Sequence, residues 1–137
     1  MAVYTCITQE GTLSAEQRAA IAKEITRSHV AISGEPASFV RVIFETVSPD
    51  STFSGGKPAV NASIVGIIRG RSTEVKAQLL NDLWSLYKNV TGLSDDQLWV
   101  SVTEIPPSNA MEFGAIIPEV GHEAEWQASL GLTKEEA

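Results

Sequence analysis

Two arginines flank a single glycine in Arg69-Gly70-Arg71, immediately before Ser72, a serine that can start a helix. Guanidinium groups bind planar anions through paired N–H donors, and helix N-termini favour negative charge, so this turn is a candidate carboxylate or phosphate site. His29 follows Ile21 by eight residues and Ile25 by four, which sets it beside the apolar stripe of a helix. There it suits either a catalytic role or an ordinary, satisfied half-buried imidazole. Glu112 lies within Ala110-Met111-Glu112-Phe113-Gly114. A carboxylate held among apolar side chains can serve as acid or base, and the same residue also reads as a solvent-facing hairpin glutamate. The single cysteine, Cys6, falls in a strand-like run and reads as a buried, inert thiol. Ser54-Gly55-Gly56-Lys57 lacks the upstream glycine, the hydroxyl residue after lysine and the following helix of a phosphate loop. His29 and His122 lie in separate regions without a carboxylate cluster at ligand spacing, so neither a metal nor another cofactor is expected.

These residues need elements to hold them. Val3 to Thr8 alternates and β-branches like a buried strand. Ser14-Ala15-Glu16-Gln17 forms a capping box, Ile21, Ile25 and Ile32 recur at helical spacing, and Gly34 with Pro36 ends the pattern. Phe39 to Val47 is almost continuously apolar, as in a strand buried on both faces. At a constant offset of 58 residues, Ser14 falls on Ser72, Ala19 on Ala77, Ile21 on Leu79, Ile25 on Leu83, Gly34 on Gly92 and Val42 on Val100. The chain is thus a duplicated strand-helix-strand unit. Its second copy predicts a strand over Ser63 to Arg69, a helix from Ser72 to about Val90 and a strand over Leu98 to Ile105.

The expected fold is α+β with two layers: duplicated β-α-β units forming one four-stranded sheet with both helices on one face. Each unit should be a right-handed parallel crossover. A single domain is expected over residues 1–137, with repeats over about 2–58 and 61–118 and a tail over 119–137. Helices on one face leave the other apolar face bare, which predicts an oligomer. Ser48 to Pro58 and Pro106 to Pro118 read as hairpins reaching over neighbouring subunits.

Composition narrows the partners. Ten Lys and Arg stand against 17 Asp and Glu, for a formal charge of −7. That balance argues against nucleic acid or an anionic membrane surface. No apolar run approaches a membrane span and no signal sequence is evident, so a cytoplasmic location is expected. A small anion remains a suitable ligand where a few cations are concentrated.

Taken together and in order, the Val3-Tyr4-Thr5-Cys6 opening, the Thr26 to His29 segment, Arg69-Gly70-Arg71-Ser72, Leu98-Trp99-Val100, Thr103-Glu104-Ile105-Pro106, Met111-Glu112-Phe113-Gly114 and Gly121-His122-Glu123-Ala124-Glu125-Trp126 resemble the tautomerase superfamily. Within it they are most similar to the cis-3-chloroacrylic acid dehalogenase group, from Ala2 through about Leu130. The resemblance implies a homotrimer with an active site around an amino-terminal proline, which transfers a proton to or from a small unsaturated carboxylate. It implies that His29, Arg69 and Arg71 hold that carboxylate and that Glu112 activates water, although the arginine turn is one residue shorter than the family's.

Two positions depart from the family pattern. Ala2 stands where the family has its proline, and Ser101 where it has a tyrosine that helps to position water. A methionine before alanine is usually removed, leaving a primary amine on Ala2 with an ordinary pKa of about 7.7 to 8.0 that desolvation would lower. Such an amine is a weak general base or Schiff-base former. If Met1 stays, its side chain fills space the family gives to substrate. The expectation is a protein that acts on or binds small unsaturated carboxylates, with proline-dependent dehalogenase, hydratase or tautomerase activity low or lost. The alternative is a non-catalytic module that binds a small carboxylate.

Overall fold

A computed structural model describes residues 1–132. The acidic stretch Lys134-Glu135-Glu136 lies outside the described residues. In chain order the main elements are β1 (Ala2–Gln9), α1 (Ala15–Ser33), β2 (Val40–Val47), β3 (Phe53–Ser54), β4 (Lys57–Pro58), β5 (Ala62–Ile68), α2 (Thr73–Thr91), β6 (Leu98–Glu104), β7 (Met111–Glu112), β8 (Ala115–Ile116) and α3 (Glu123–Ser129).

The helices begin and end where local chemistry requires. Ser14 Oγ accepts from the backbone N–H of Gln17 at 3.1 Å, and Gln17 Oε1 accepts from the N–H of Ser14 at 2.9 Å, which closes the capping box. Ser72 does the first half of this for α2, accepting from the N–H of Val75 at 3.2 Å. Gly34 and Gly92 terminate the two helices with φ of 74° and 71°, a left-handed conformation that costs glycine nothing. The helices α1 and α2 thus correspond residue for residue under the 58-residue offset.

One four-stranded sheet carries the order β2-β1-β5-β6. Strands β1 and β2 run parallel, β5 and β6 run parallel, and the two halves meet antiparallel where β1 pairs with β5. Cys6 faces Ile64 across that seam, 58 residues away in sequence, so the duplication appears as a local two-fold through the middle of the sheet. On the helix side Tyr4, Cys6, Ile64, Ile68, Ile21, Ile25, Leu79 and Leu83 form the core. Each large apolar side chain removed from water there contributes about 1.5–3 kcal/mol.

The other sheet face is bare in the protomer. Ile43, Ile67 and Trp99 are 49%, 43% and 67% exposed. This corrects the reading of Phe39 to Val47 as a strand buried on both faces. β2 is an edge strand in which Val40, Val42 and Phe44 pack on the core while Arg41, Ile43 and Glu45 are exposed. Phe39 precedes it in a 3-10 turn (Ala37–Phe39) and joins a second cluster with Met1 and Ile117.

Ser54-Gly55-Gly56-Lys57 proves to be the turn of the β3–β4 hairpin, with φ of 59° and 78° at its glycines. The equivalent turn of the β7–β8 hairpin places Phe113 at φ 54°, a conformation that costs a non-glycine residue about 1–2 kcal/mol. Its ring lies 6.3 Å from that of Phe39 and 5.9 Å from that of Trp126, contacts that offset the strain. The segment read as a tail contains α3, whose Trp126 donates from Nε1 to the Ile116 carbonyl at 2.8 Å. Among the described residues no helix is long and apolar enough to cross a membrane.

One packing contact links this scaffold to the chemistry. Tyr4, fully buried, lies against Gly66 so closely that a Cβ there would stand 2.5 Å from Tyr4 Cε1. Substituting Gly66→Ala is expected to destabilise the protein by about 1–3 kcal/mol through overpacking, and to move Tyr4. Urea denaturation measures the loss, and an unchanged midpoint would contradict the contact.

Candidate active site

At the N-terminal end of β1 several charged groups meet in the interior. Helix α1 carries His29 on its buried stripe, one turn beyond Ile25. β1 places Tyr4 beneath it, and the Tyr4 hydroxyl hydrogen-bonds His29 Nδ1 at 2.8 Å. With the hydroxyl donating to Nδ1, the ring proton belongs on Nε2. Nε2 lies 3.2 Å from Glu35 Oε2. The end of β5 delivers Arg69 and the following turn delivers Arg71; each donates from a terminal nitrogen to Glu35 Oε1 at 2.6 Å. The N-terminal ammonium of Met1 pairs with Glu35 Oε2. Glu35 is therefore the centre of the cluster, and its side chain is 2% exposed.

Arg69 has further partners. Its side chain is wholly buried and donates to the Pro118 carbonyl at 2.9 Å and to Glu123 at 2.7 Å. Its Nε has no partner among the described residues. A buried charge left without compensation would be strongly unfavourable, which explains why α3 brings Glu123 to this point.

The electrostatics follow from burial and pairing. Burial would raise the Glu35 pKa, but the His29 hydrogen bond, the N-terminal charge and bond, and the Arg69 bond overturn that and hold the carboxyl far below its ordinary range. The N-terminal amine moves below its ordinary 8.0, because desolvation and Arg69 outweigh the attraction of Glu35 and Glu112. Burial drives the Tyr4 phenol well above its ordinary value. Burial also pushes the Cys6 thiol up to about 12, which fits its reading as an inert core residue.

The structure brings His29, Arg69 and Arg71 together around Glu35. In the protomer both arginines are bonded to Glu35, a partner that reading the sequence did not supply, and the α2 N-terminus is capped by Ser72. Ala2 is buried beside the amine, and Glu112 joins it in lining a small, mainly apolar pocket of about 170 Å³ with Met1, Val3, Ile67 and Ile117. Glu112 lies 3.5 Å from Arg41. Ser101 is elsewhere in the protomer: on β6 it pairs with Val65, two strands from β1 and three residues along from the Ile68–Glu104 pair. His122 is on the surface, 3.6 Å from Glu125 and away from His29. Reading the sequence missed Glu35, Tyr4 and Glu123 as members of the cluster. The available signal was Glu35 itself, a charged residue directly after the cap glycine, where an apolar side chain usually folds back onto the helix.

Glu35 is protonated more readily unfolded than folded, so its contribution to stability is complete above about pH 4.5, its ordinary value, and is lost progressively at lower pH. Glu123, also held below its ordinary range, acts in the same direction. Melting temperatures measured from pH 7 to pH 3 should fall for the native protein. In Glu35→Gln the fall should be shallower, and identical slopes would contradict the role of Glu35.

Comparison with known proteins gives the family. Residues 1–129 match the tautomerase family model described as "Putative oxalocrotonate tautomerase enzyme". The search of curated proteins finds no match. The crystal structure of native Ps01740 is 40% identical, with a TM-score of 0.79 over 80% of this chain and 99% of that one. The crystal structure of N1, a member of the cis-3-chloroacrylic acid dehalogenase family, is 34% identical, with a TM-score of 0.87 over 93% of this chain and 91% of that one. Pt0534 inactivated by 2-oxo-3-pentynoate, at 24% identity and a TM-score of 0.76 over 84% of this chain and 94% of that one, shares the fold. The chain therefore belongs to the tautomerase superfamily, within the group similar to cis-3-chloroacrylic acid dehalogenase.

Proposed function

We propose that this protein acts on or binds small unsaturated carboxylates at the cluster of Arg69, Arg71, His29 and the N-terminal amine. Proton transfer there is weak, because Ala2 supplies no ring-constrained secondary amine. The single observation that carries this reading is the convergence of two guanidiniums, an imidazole and an ammonium on one carboxylate, that of Glu35. Donors arranged to hold one carboxylate can hold another of the same size.

The pocket beside them gives the rest of a small ligand an apolar seat, with Glu112 as the carboxylate placed to activate water. Burial lowers the pKa of the amine below its ordinary 8.0, the direction that makes it a readier proton acceptor once the Glu35 carboxylate is no longer beside it. Met1 is buried and packs with Phe39 and Ile117. Its removal would shift the amine onto Ala2 and vacate that space, a difference intact-mass measurement reads directly.

A second reading, a non-catalytic carboxylate-binding module, is favoured by the presence of Glu35 on the very donors a substrate needs. Substituting Ala2→Pro separates the two. A large gain in turnover of an enol or haloacrylate supports a weakened enzyme, whereas measurable carboxylate binding with unchanged silence supports the module. Under either reading Arg71→Ala should weaken carboxylate binding by about ten- to a hundredfold, the scale of a lost charge-assisted hydrogen bond. Retained affinity would show the pocket to be misplaced.

The bare sheet face supports a homotrimer. Solved neighbours of this fold include a fused 4-OT symmetric trimer and, at 26% identity, an asymmetric one. In this chain Ile43, Ile67 and Trp99 offer a continuous reason to associate. Light scattering should give three subunits per particle, and a monomer would overturn the assembly.

A further inference from the structure

Glu35 is charged and almost inaccessible, at a position where the other repeat of this fold has no charge. In the second repeat the residue after the cap glycine is Leu93, which packs against the core. That is the ordinary use of the position. The first repeat places a carboxylate there instead and turns it inward onto Arg69, Arg71 and His29. Each arginine commits a terminal nitrogen to Oε1, while Oε2 takes the ammonium and the imidazole. A ligand carboxylate cannot use this set of donors while Glu35 holds it.

Two features make Glu35 an exchangeable occupant. First, two of the donors have supports of their own. Arg69 keeps the Pro118 carbonyl and Glu123, and Tyr4 keeps His29 Nδ1, so these two stay in place when Glu35 leaves, while Arg71 and the ammonium are freed for the incoming anion. Second, Glu35 has somewhere to go. It also borders a groove of about 520 Å³ formed with Gly34, Pro36, Ala37, Gly121, Glu123 and Gln127, where the carboxylate would be solvated.

Charge sets the class of ligand. The amine, Arg69 and Arg71 face Glu35 and Glu123. One incoming carboxylate replaces Glu35 one for one, whereas a second would add negative charge near Glu123 and Glu112.

Building on the carboxylate reading of this pocket, we propose that Glu35 is an internal competitor. It occupies the anion site in the free protein and must be displaced by a ligand monocarboxylate, thereby setting the affinity and charge selectivity of the site.

Calorimetric titration of the full chain with acrylate, for the native protein, Glu35→Gln and Glu35→Ala, tests this. Both variants should bind acrylate roughly tenfold tighter or better. Acrylate should raise the melting temperature of Glu35→Ala by several degrees more than that of the native protein, and adding Arg71→Ala should cancel both gains. Should Glu35→Ala fail to fold, Glu35→Gln decides alone, since it keeps the side-chain volume and a carbonyl acceptor for the arginines. Folded variants that bind no tighter than a native protein that does bind acrylate overturn the competition and leave the pocket reading standing. No binding by any of the proteins overturns both.

Discussion

A carboxylate with almost no access to water organises one end of this molecule. Glu35 receives the N-terminal ammonium, two guanidiniums and an imidazole, and those groups arrive on three separate pieces of the chain. The cost of desolvating so many charges is met only because they satisfy one another. That mutual dependence fixes the end of β1, the C-terminal end of α1, the turn between β5 and α2, and through Glu123 the start of α3. Removing Glu35 with no other anion in its place would leave Arg71 and the ammonium buried without a partner.

The surrounding scaffold is symmetric, and the chemistry is not. Helices of equal length, equivalent cap glycines and equivalent hairpins repeat at the same offset. Yet His29 corresponds to Tyr87, Glu35 to Leu93, Arg69 to Gly11 and Gly55 to Phe113. The duplication supplies two similar corners, and substitutions have charged one of them. The strained Phe113 turn belongs to the same corner, because its ring closes over Phe39 and Trp126.

The layered design accounts for the bare sheet face as well. Helices that cover one side of a sheet leave residues of alternate register on the other, so Ile43, Ile67 and Trp99 stay outside the protomer's core. The chemistry and the association surface therefore share one sheet: Tyr4 points toward the helices, while Val3, next along β1, is only partly buried.

Much of this was legible from residue order alone. Apolar spacing, the capping residues Ser14 and Ser72 and the cap glycines determine where α1 and α2 begin and end, because those signals are local. The offset pairing of Ser14 with Ser72 and Val42 with Val100 determines the duplicated architecture, and Arg69 with Arg71 marks a candidate anion site by residue type. Tertiary structure decided what those cations hold and which face of β2 is buried. A continuous apolar run cannot reveal that its strand lies at an edge, since that depends on strand order. Nor can local sequence show that Glu35 turns inward beneath Arg69, 34 residues away. Pairing of charges brought together only by folding is a property of three-dimensional distance, for which chain position carries no signal.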